Sequence, residues 1–204
     1  MEVLIAMCAL HTVALISPGP DFLLVVRNSV RYSHRTGQWT SVGIALGILV
    51  HMTYCILGIG FIISQSILLF NILKYLGAAY LVCIGIMSFL SKEEGMPLAD
   101  EHKEQKQLSP ASAIKMGFYI NVLNPKATLA FVSIFSAFIT PETPFATQWI
   151  FAAYACVSAL VWFSFVASVF SISKVQLAFA KARNRIDRTI GVVLVSLGLR
   201  VLDT

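Results

Sequence analysis

The sequence predicts an all-α integral membrane protein with six transmembrane helices, arranged as two inverted three-helix repeats with broken first and fourth helices. The first observation behind this prediction is composition, since 57% of the 204 residues are hydrophobic and 12% are charged. Soluble domains carry about 25% charged residues. A small soluble core could not bury so much apolar surface, so lipid must cover the excess.

The second observation is the length of the apolar segments. A helix that crosses a bilayer needs roughly 20 mostly apolar residues, and no Asp, Glu, Lys or Arg occurs in 38–73 or 143–173. The last of the predicted spans has the shortest uncharged stretch, so it is expected to be short, tilted or interfacial. The six predicted spans are 3–27, 39–63, 68–90, 112–139, 147–171 and 187–203.

The distribution of basic residues predicts the orientation of the chain. Cytoplasmic loops accumulate Lys and Arg, and most of the 15 basic residues lie around the first, third and fifth connections. Six spans with both termini in the periplasm fit this pattern, whereas a five-span version would place the C-terminus inside. Glu2 stands where a signal peptide would have a basic residue, so the first segment is expected to remain in the mature protein.

The third observation is an internal repeat. Each half has a proline-containing interruption in its first span, SPGPD at 17–21 and NPK at 124–126. Residues 1–90 are predicted to form the first repeat, 91–110 a charged cytoplasmic linker, and 111–204 the second repeat, all within one membrane domain. Because three spans is an odd number, the second repeat enters the membrane with opposite polarity, a plan typical of secondary transporters.

The interruptions predict a shared polar cavity at the middle of the membrane. Pro18 and Pro20 should break the first helix, with Gly19 supplying conformational freedom. Ser17 lies in the same unwound stretch, and Asn124 and Pro125 read as the N-cap and first residue of a restarted helix. Irregular backbone survives at membrane depth only where protein buries it or where it lines a cavity.

Each interruption carries one charge, Asp21 or Lys126. Asp21 either complements the dipole of its half-helix or binds a substrate amine or a proton. Lys126 would sit at the positive end of its own half-helix and too deep to reach the surface, so we interpret it as functional, with Asp21 as its most plausible partner. Asn121 lies one turn earlier and could face the same cavity or bond a neighbouring helix.

Other polar groups in the spans support weaker hypotheses. His11 and His51 are either neutral, hydrogen-bonded packing residues or a proton relay. Gly43 and Gly47 form a GxxxG pattern typical of close helix packing. The four cysteines occur singly, without CxxC or Cys/His spacing, so no metal site is predicted. No cofactor is expected either, since no phosphate-binding GxxxxGK[ST] motif is present.

Several stretches resemble the LysE/RhtB family of bacterial amino-acid exporters. They are SPGPDFLLVV at 17–26, the GxxxG of the second span, KYLGAAYLVCIG at 74–85 and GFYINVLNPKA at 117–127. HTVALISPGPDF at 11–22 is most similar to the threonine-exporter branch. The resemblance implies export of threonine or homoserine across the inner membrane, in exchange for protons. The family often has Asn where this chain has Asp21, so a proton-carrying role at this position is not expected across the family, and it is left open for this chain.

These observations together predict a secondary-active efflux carrier rather than an enzyme, driven by the proton motive force through alternating access. Its expected partners are a small amino acid and the bilayer, without nucleic acid, and a homodimer is the oligomer considered. The candidate translocation residues are Ser17, Pro18, Gly19, Pro20, Asp21, Asn121, Asn124, Pro125 and Lys126. The alternatives are an exporter of another solute or a cation, a membrane thiol oxidoreductase on a related scaffold, and a non-transporting scaffold protein.

Overall fold

The computed structural model of the chain describes residues 2–59, 108–140 and 142–172 continuously, and individual positions within 68–90 and 174–199. In the continuous ranges all regular secondary structure is helical, which agrees with the predicted all-α class. The helices are α1 (Glu2–Ile16), α2 (Pro20–Arg31), α3 (His34–Tyr54), α4 (Pro110–Val122), α5 (Pro125–Phe138) and α6 (Phe145–Val169). A π-helical segment, Cys55–Ile59, extends α3.

Local sequence explains where these helices begin. Pro20, Pro110 and Pro125 are each the first residue of a helix, where the missing N–H costs nothing. The Asn124 side chain caps α5 by accepting a hydrogen bond from the backbone N–H of Lys126 at 3.0 Å. Ser33 caps α3 in the same way. The restart of the chain after the second interruption is therefore encoded by the NPK triplet itself.

Among the residues that the structure describes, two helices are long and apolar enough to cross a membrane, His34–Gly58 and Phe145–Val169, each with 25 residues. Two bent pairs, α1 with α2 and α4 with α5, would raise the number of spans to four if each pair is one broken span. The bends are 50° and 56°. These four units coincide with the predicted spans 3–27, 39–63, 112–139 and 147–171. The predictions for 68–90, 91–107 and 187–203 lie outside the continuously described residues.

The structure gives Gly19 a different role from the conformational freedom that the sequence predicted. Its φ of −164° and ψ of −172° are ordinary extended values, so this position does not use the conformational freedom of glycine. Its lack of a side chain matters instead, because a Cβ here would lie 3.3 Å from both Cδ and Nζ of Lys126. Gly19 therefore makes room for the lysine of the second interruption.

Glycines bring α3 and α4 into close contact, as the GxxxG pattern predicted. A Cβ at Gly43 would collide with the backbone oxygen of Ile114, and one at Gly117 would collide with that of Thr40. A Cβ at Gly47 would lie 2.6 Å from Oδ1 of Asn121. Close backbone approach of this kind is the usual result of small residues at a membrane helix interface.

The helices arrange the two interruptions face to face. Contacts connect α1 with α5 and α2 with α4, while α3 and α6 pack against both groups. Large apolar side chains such as Leu57, Val157 and Phe165 remain exposed on the outside, at 61%, 60% and 57%. An apolar exterior of this kind is expected where lipid rather than water surrounds the helices.

Candidate functional site

Lys126 connects the second interruption to the first. Its side chain starts at the second residue of α5 and reaches the unwound segment after α1. The Nζ ammonium donates hydrogen bonds to the Ser17 carbonyl at 3.0 Å, to Ser17 Oγ at 2.9 Å and to the Pro18 carbonyl at 3.1 Å. The two interruptions are thus in direct contact.

This geometry corrects the argument that Lys126 lacks electrostatic compensation. The carbonyls of Ser17 and Pro18 follow Ile16, the last residue of α1, and a helix C-terminus carries partial negative charge. The lysine is at the positive end of its own helix but at the negative end of α1. It satisfies carbonyls that the break in α1 leaves without helical partners, so its position is electrostatically favourable.

Asp21 occupies the corresponding second position of α2, after Pro20. Its Oδ2 accepts a hydrogen bond from Nδ2 of Asn121 at 2.8 Å. Its Oδ1 is buried and accepts no hydrogen bond of standard length from the described residues, although the Lys126 ammonium interacts with the carboxylate electrostatically. A buried carboxylate oxygen without a donor is costly, and it is suited to accept a hydrogen bond from a bound ammonium group.

Asn121 is positioned by two contacts with α3. Only 1% of its surface is exposed, and its Oδ1 lies against Gly47 while its Nδ2 faces Asp21. Its backbone oxygen is 3.0 Å from Nε2 of His51. Because a carbonyl only accepts, Nε2 must carry a proton, and Nδ1 lies 2.6 Å from the Tyr54 hydroxyl. His51 therefore holds the end of α4 that presents Asn121.

The second histidine, His11, contacts a different helix. Its Nε2 lies 3.2 Å from Oγ of Ser158 on α6. The rings of His11 and His51 stack on opposite sides of Phe131, with centroid distances of 5.5 Å and 5.6 Å. Neither of these imidazole hydrogen bonds ends on Asp21 or Lys126, and a relay through these histidines remains a prediction.

A cavity of about 60 Å³ lies at the junction of the two interruptions. A cavity needs roughly 10–15 Å³ to hold one water, so this space suits several waters or a small solute. Pro18 lies beside it as an acceptor for Lys126, while Pro20 and Pro125 act as helix starts. The predicted residues that line it are Ser17, Gly19, Asp21, Asn121, Asn124, Lys126 and His11.

The apolar part of the lining was not identified from the sequence. It comes mainly from α1 and α5 and includes Ala14, Leu15, Ala127, Ala130, Phe131 and Ile134. The helical repeat places Ala130 and Ile134, four and eight residues after Lys126, on the same side of α5 as the lysine, but nothing in the sequence distinguishes a cavity-lining alanine from one that packs in a core.

The residues that the structure describes give little support to the alternatives. They contain no group of three or more His, Cys, Asp or Glu side chains that could hold a metal ion, whereas a cation carrier would need such ligands. Cys8, Cys55, Cys83 and Cys156 are all unpaired, although a thiol oxidoreductase would need two reactive cysteines close together.

Comparison with known proteins identifies related chains. The family described as "LysE type translocator" matches residues 12–203. The threonine efflux protein of Salmonella typhimurium is 30% identical, over 99% of this chain and 98% of that protein. Uncharacterized membrane protein YrhP of Bacillus subtilis is 30% identical over 98% of each chain. The homoserine/homoserine lactone efflux protein of S. typhimurium is 28% identical over 68% of this chain and 66% of its own length. No solved structure matches significantly.

Proposed function

The chain belongs to the LysE type translocator family, and we propose that it exports a small neutral amino acid of the threonine or homoserine type. Members of this family are transporters, so the chain is a membrane transporter rather than an enzyme. The proposal for the substrate is supported by similarity to proteins named for threonine and homoserine efflux, and by a cavity with one cationic and one anionic side chain.

The observation that carries the proposal is the meeting of two half-helix starts and two opposite charges at one cavity. In the proposed complex, the substrate carboxylate accepts hydrogen bonds from the Lys126 ammonium and faces the positive N-termini of α2 and α5. The substrate ammonium donates to Asp21 Oδ1, the buried oxygen described above. A zwitterion with both groups on one carbon can contact both charges because they line the same cavity.

The transport cycle is proposed to follow from the same arrangement. The two three-helix repeats, with residues 91–110 as the cytoplasmic linker, would rock about the fixed site so that the cavity opens to one side at a time. Export would be coupled to inward movement of protons across the bacterial inner membrane, with six spans and both termini in the periplasm. The bends within the α1–α2 and α4–α5 pairs support this plan, because each would be the broken first span of its repeat.

Efflux of preloaded labelled threonine, from cells without their own threonine exporters, tests the proposed site. Lys126→Ala should lower the initial efflux rate at least tenfold, since removing one partner of a buried charged hydrogen-bond network costs several kcal/mol. Lys115→Ala is the matched control, because Lys115 is an exposed lysine on α4. Both variants are compared with the unmodified chain at equal membrane expression.

Each outcome of this experiment has a definite meaning. Loss of efflux in Lys126→Ala and normal efflux in Lys115→Ala would support the site. Equal efflux from all three proteins would contradict a role for Lys126 in transport. If the unmodified chain exports no threonine, homoserine or other neutral amino acid, the proposed substrate class is wrong.

A further inference from the structure

The cavity also has an apolar lining, which comes largely from α1 and α5, two helices that contact each other. Ala127, Ala130 and Ile134 line it from α5, and Ala14 and Leu15 line it from α1. Ala127 directly follows Lys126, so a solute whose carboxylate meets that lysine would place its side chain near these residues. We define these five residues as the apolar arm.

The five side chains of the apolar arm offer no hydrogen bond to a substrate hydroxyl, because all of them are hydrocarbon. Four further apolar residues line the cavity, namely Phe22, Ile48, Phe131 and Phe163. His11 also lines the cavity and stacks on Phe131, and its Nε2 lies 3.2 Å from Oγ of Ser158 on α6. The other polar lining residues belong to the two interruptions or, in the case of Asn121, precede one of them by one turn.

Two of the α5 residues that line the cavity, Ala127 and Ala130, contribute only a methyl group each. The whole cavity has a volume of about 60 Å³, so a larger side chain at either position would reduce the space for a solute. We therefore expect the arm to suit a side chain of a few carbon atoms.

We propose that the apolar arm is the side-chain subsite of the carrier and that it selects a short or branched aliphatic side chain by size, without recognising a hydroxyl group. This inference rests on the proposed amino-acid export and makes it more specific. Valine has the same shape as threonine with a methyl group in place of the hydroxyl, so the carrier exports valine comparably with threonine.

A subsite that selects by size and a subsite that binds the hydroxyl group predict very different ratios of threonine efflux to valine efflux. A hydrophobic pocket rejects an isostere with an added hydroxyl by only about 100-fold at most, whereas a site built to bind a hydroxyl rejects the analogue without it by about 10⁴-fold or more. The ratio of threonine to valine efflux efficiency, measured with purified protein in vesicles, should therefore lie between about 0.01 and about 1. A ratio above about 1, which means a preference for the hydroxyl-bearing substrate, would overturn the inference.

Substitution at Ala130 tests the location of the subsite. Ala130→Leu should reduce valine and threonine efflux by about tenfold or more, because one methylene group that does not fit a hydrophobic pocket changes the efficiency by about that factor. Glycine and alanine efflux should change little. Leu129→Phe is the matched control, because Leu129 is the adjacent residue of α5 and is exposed on the outside of the helix. Equal loss for all four substrates, or no loss for any, would contradict the assignment.

A second variant covers the case in which Ala130→Leu does not fold. Ala130→Gly widens the arm, and leucine efflux should rise relative to valine efflux; an unchanged ratio would contradict the inference. Failure of the subsite and failure of the proposed function are distinguishable. An unmodified chain that moves threonine but not valine refutes only the subsite, whereas one that moves no amino acid refutes the proposed function.

Discussion

Asp21 and Lys126 occupy the same position in their respective helices, yet their environments differ. Each is the second residue of a helix that begins with proline. Lys126 is held by acceptors from the first interruption, whereas Asp21 is held by the Asn121 amide of α4 and also interacts with the side chains of Asn124 and Lys126. Lys126 thus has a structural role in addition to the proposed substrate contact, while the second oxygen of Asp21 is available for a ligand.

The variant Asp21→Asn separates the charge of this side chain from its hydrogen bond. An asparagine can still accept from Asn121 but loses the negative charge proposed to bind the substrate ammonium. The half-saturating threonine concentration should rise about fivefold, since a hydrogen bond to a charged group contributes roughly 1 kcal/mol more than a neutral one. Glu142→Gln is the control, because Glu142 is an exposed carboxylate between α5 and α6. An unchanged concentration in Asp21→Asn would argue against the ammonium contact.

At the scale of helices, α3 determines where Asn121 lies. Gly47 allows the Asn121 amide to sit against the α3 backbone, and His51, one turn later, holds the Asn121 carbonyl. The glycine contacts between α3 and α4 are thereby linked to the site, because the end of α4 presents the amide that binds Asp21. The Asn121 side chain thus joins the packing contact with α3 to the polar contact with Asp21.

Substitution of Gly47 should therefore affect stability and transport together. In Gly47→Ala the new Cβ would overlap Oδ1 and Cβ of Asn121, at 2.6 Å and 2.9 Å. Overpacking of this kind costs roughly 1–3 kcal/mol, so the melting temperature of the detergent-purified protein and the efflux rate should both fall. Gly58→Ala is a suitable control, because a Cβ at Gly58 would have no described neighbour within 4 Å. Identical behaviour of the two variants would contradict this role of Gly47.

Much of the helix arrangement was predictable because its determinants are local. Pro20, Pro125 and Asn124 specify helix starts through their own backbone chemistry, and the glycine spacing on α3 indicates a close neighbour. The bond from Lys126 to Ser17 joins residues 109 positions apart, and no local pattern specifies such a pairing. The apolar arm was missed for a related reason, since an alanine that lines a cavity and an alanine that packs in a core have the same sequence signal.

At the scale of the whole molecule, the charge distribution predicts how the protein lies in the membrane. The connection between α2 and α3 contains or borders Arg27, Arg31 and Arg35, whereas the connection between α5 and α6 has no basic residue. Basic connections stay in the cytoplasm. Because α6 follows α5 after a short turn, both ends of that turn should lie on the periplasmic side.

Reporter fusions measure this orientation directly. Alkaline phosphatase, which is active only after export from the cytoplasm, should be inactive when fused after Arg35 and active when fused after Glu142. Fluorescent protein fusions at the same two positions should give the opposite result and serve as the control for expression. Phosphatase activity at both positions, or only at the first, would refute the predicted orientation.

The contact between Lys126 and the carbonyls of Ser17 and Pro18 has a consequence for which solutes can enter the site. The Lys126 ammonium already donates hydrogen bonds to the carbonyls of Ser17 and Pro18, which the amino group of an entering solute would otherwise contact. Because Lys126 is part of the chain, its ammonium competes for these carbonyls at an effective concentration on the order of millimolar. Dilute free amines should therefore not displace it. A zwitterion should displace the Lys126 ammonium from the carbonyls, because its own carboxylate can accept the hydrogen bonds of the lysine instead. We therefore expect Lys126 to favour amino acids over simple amines at this site.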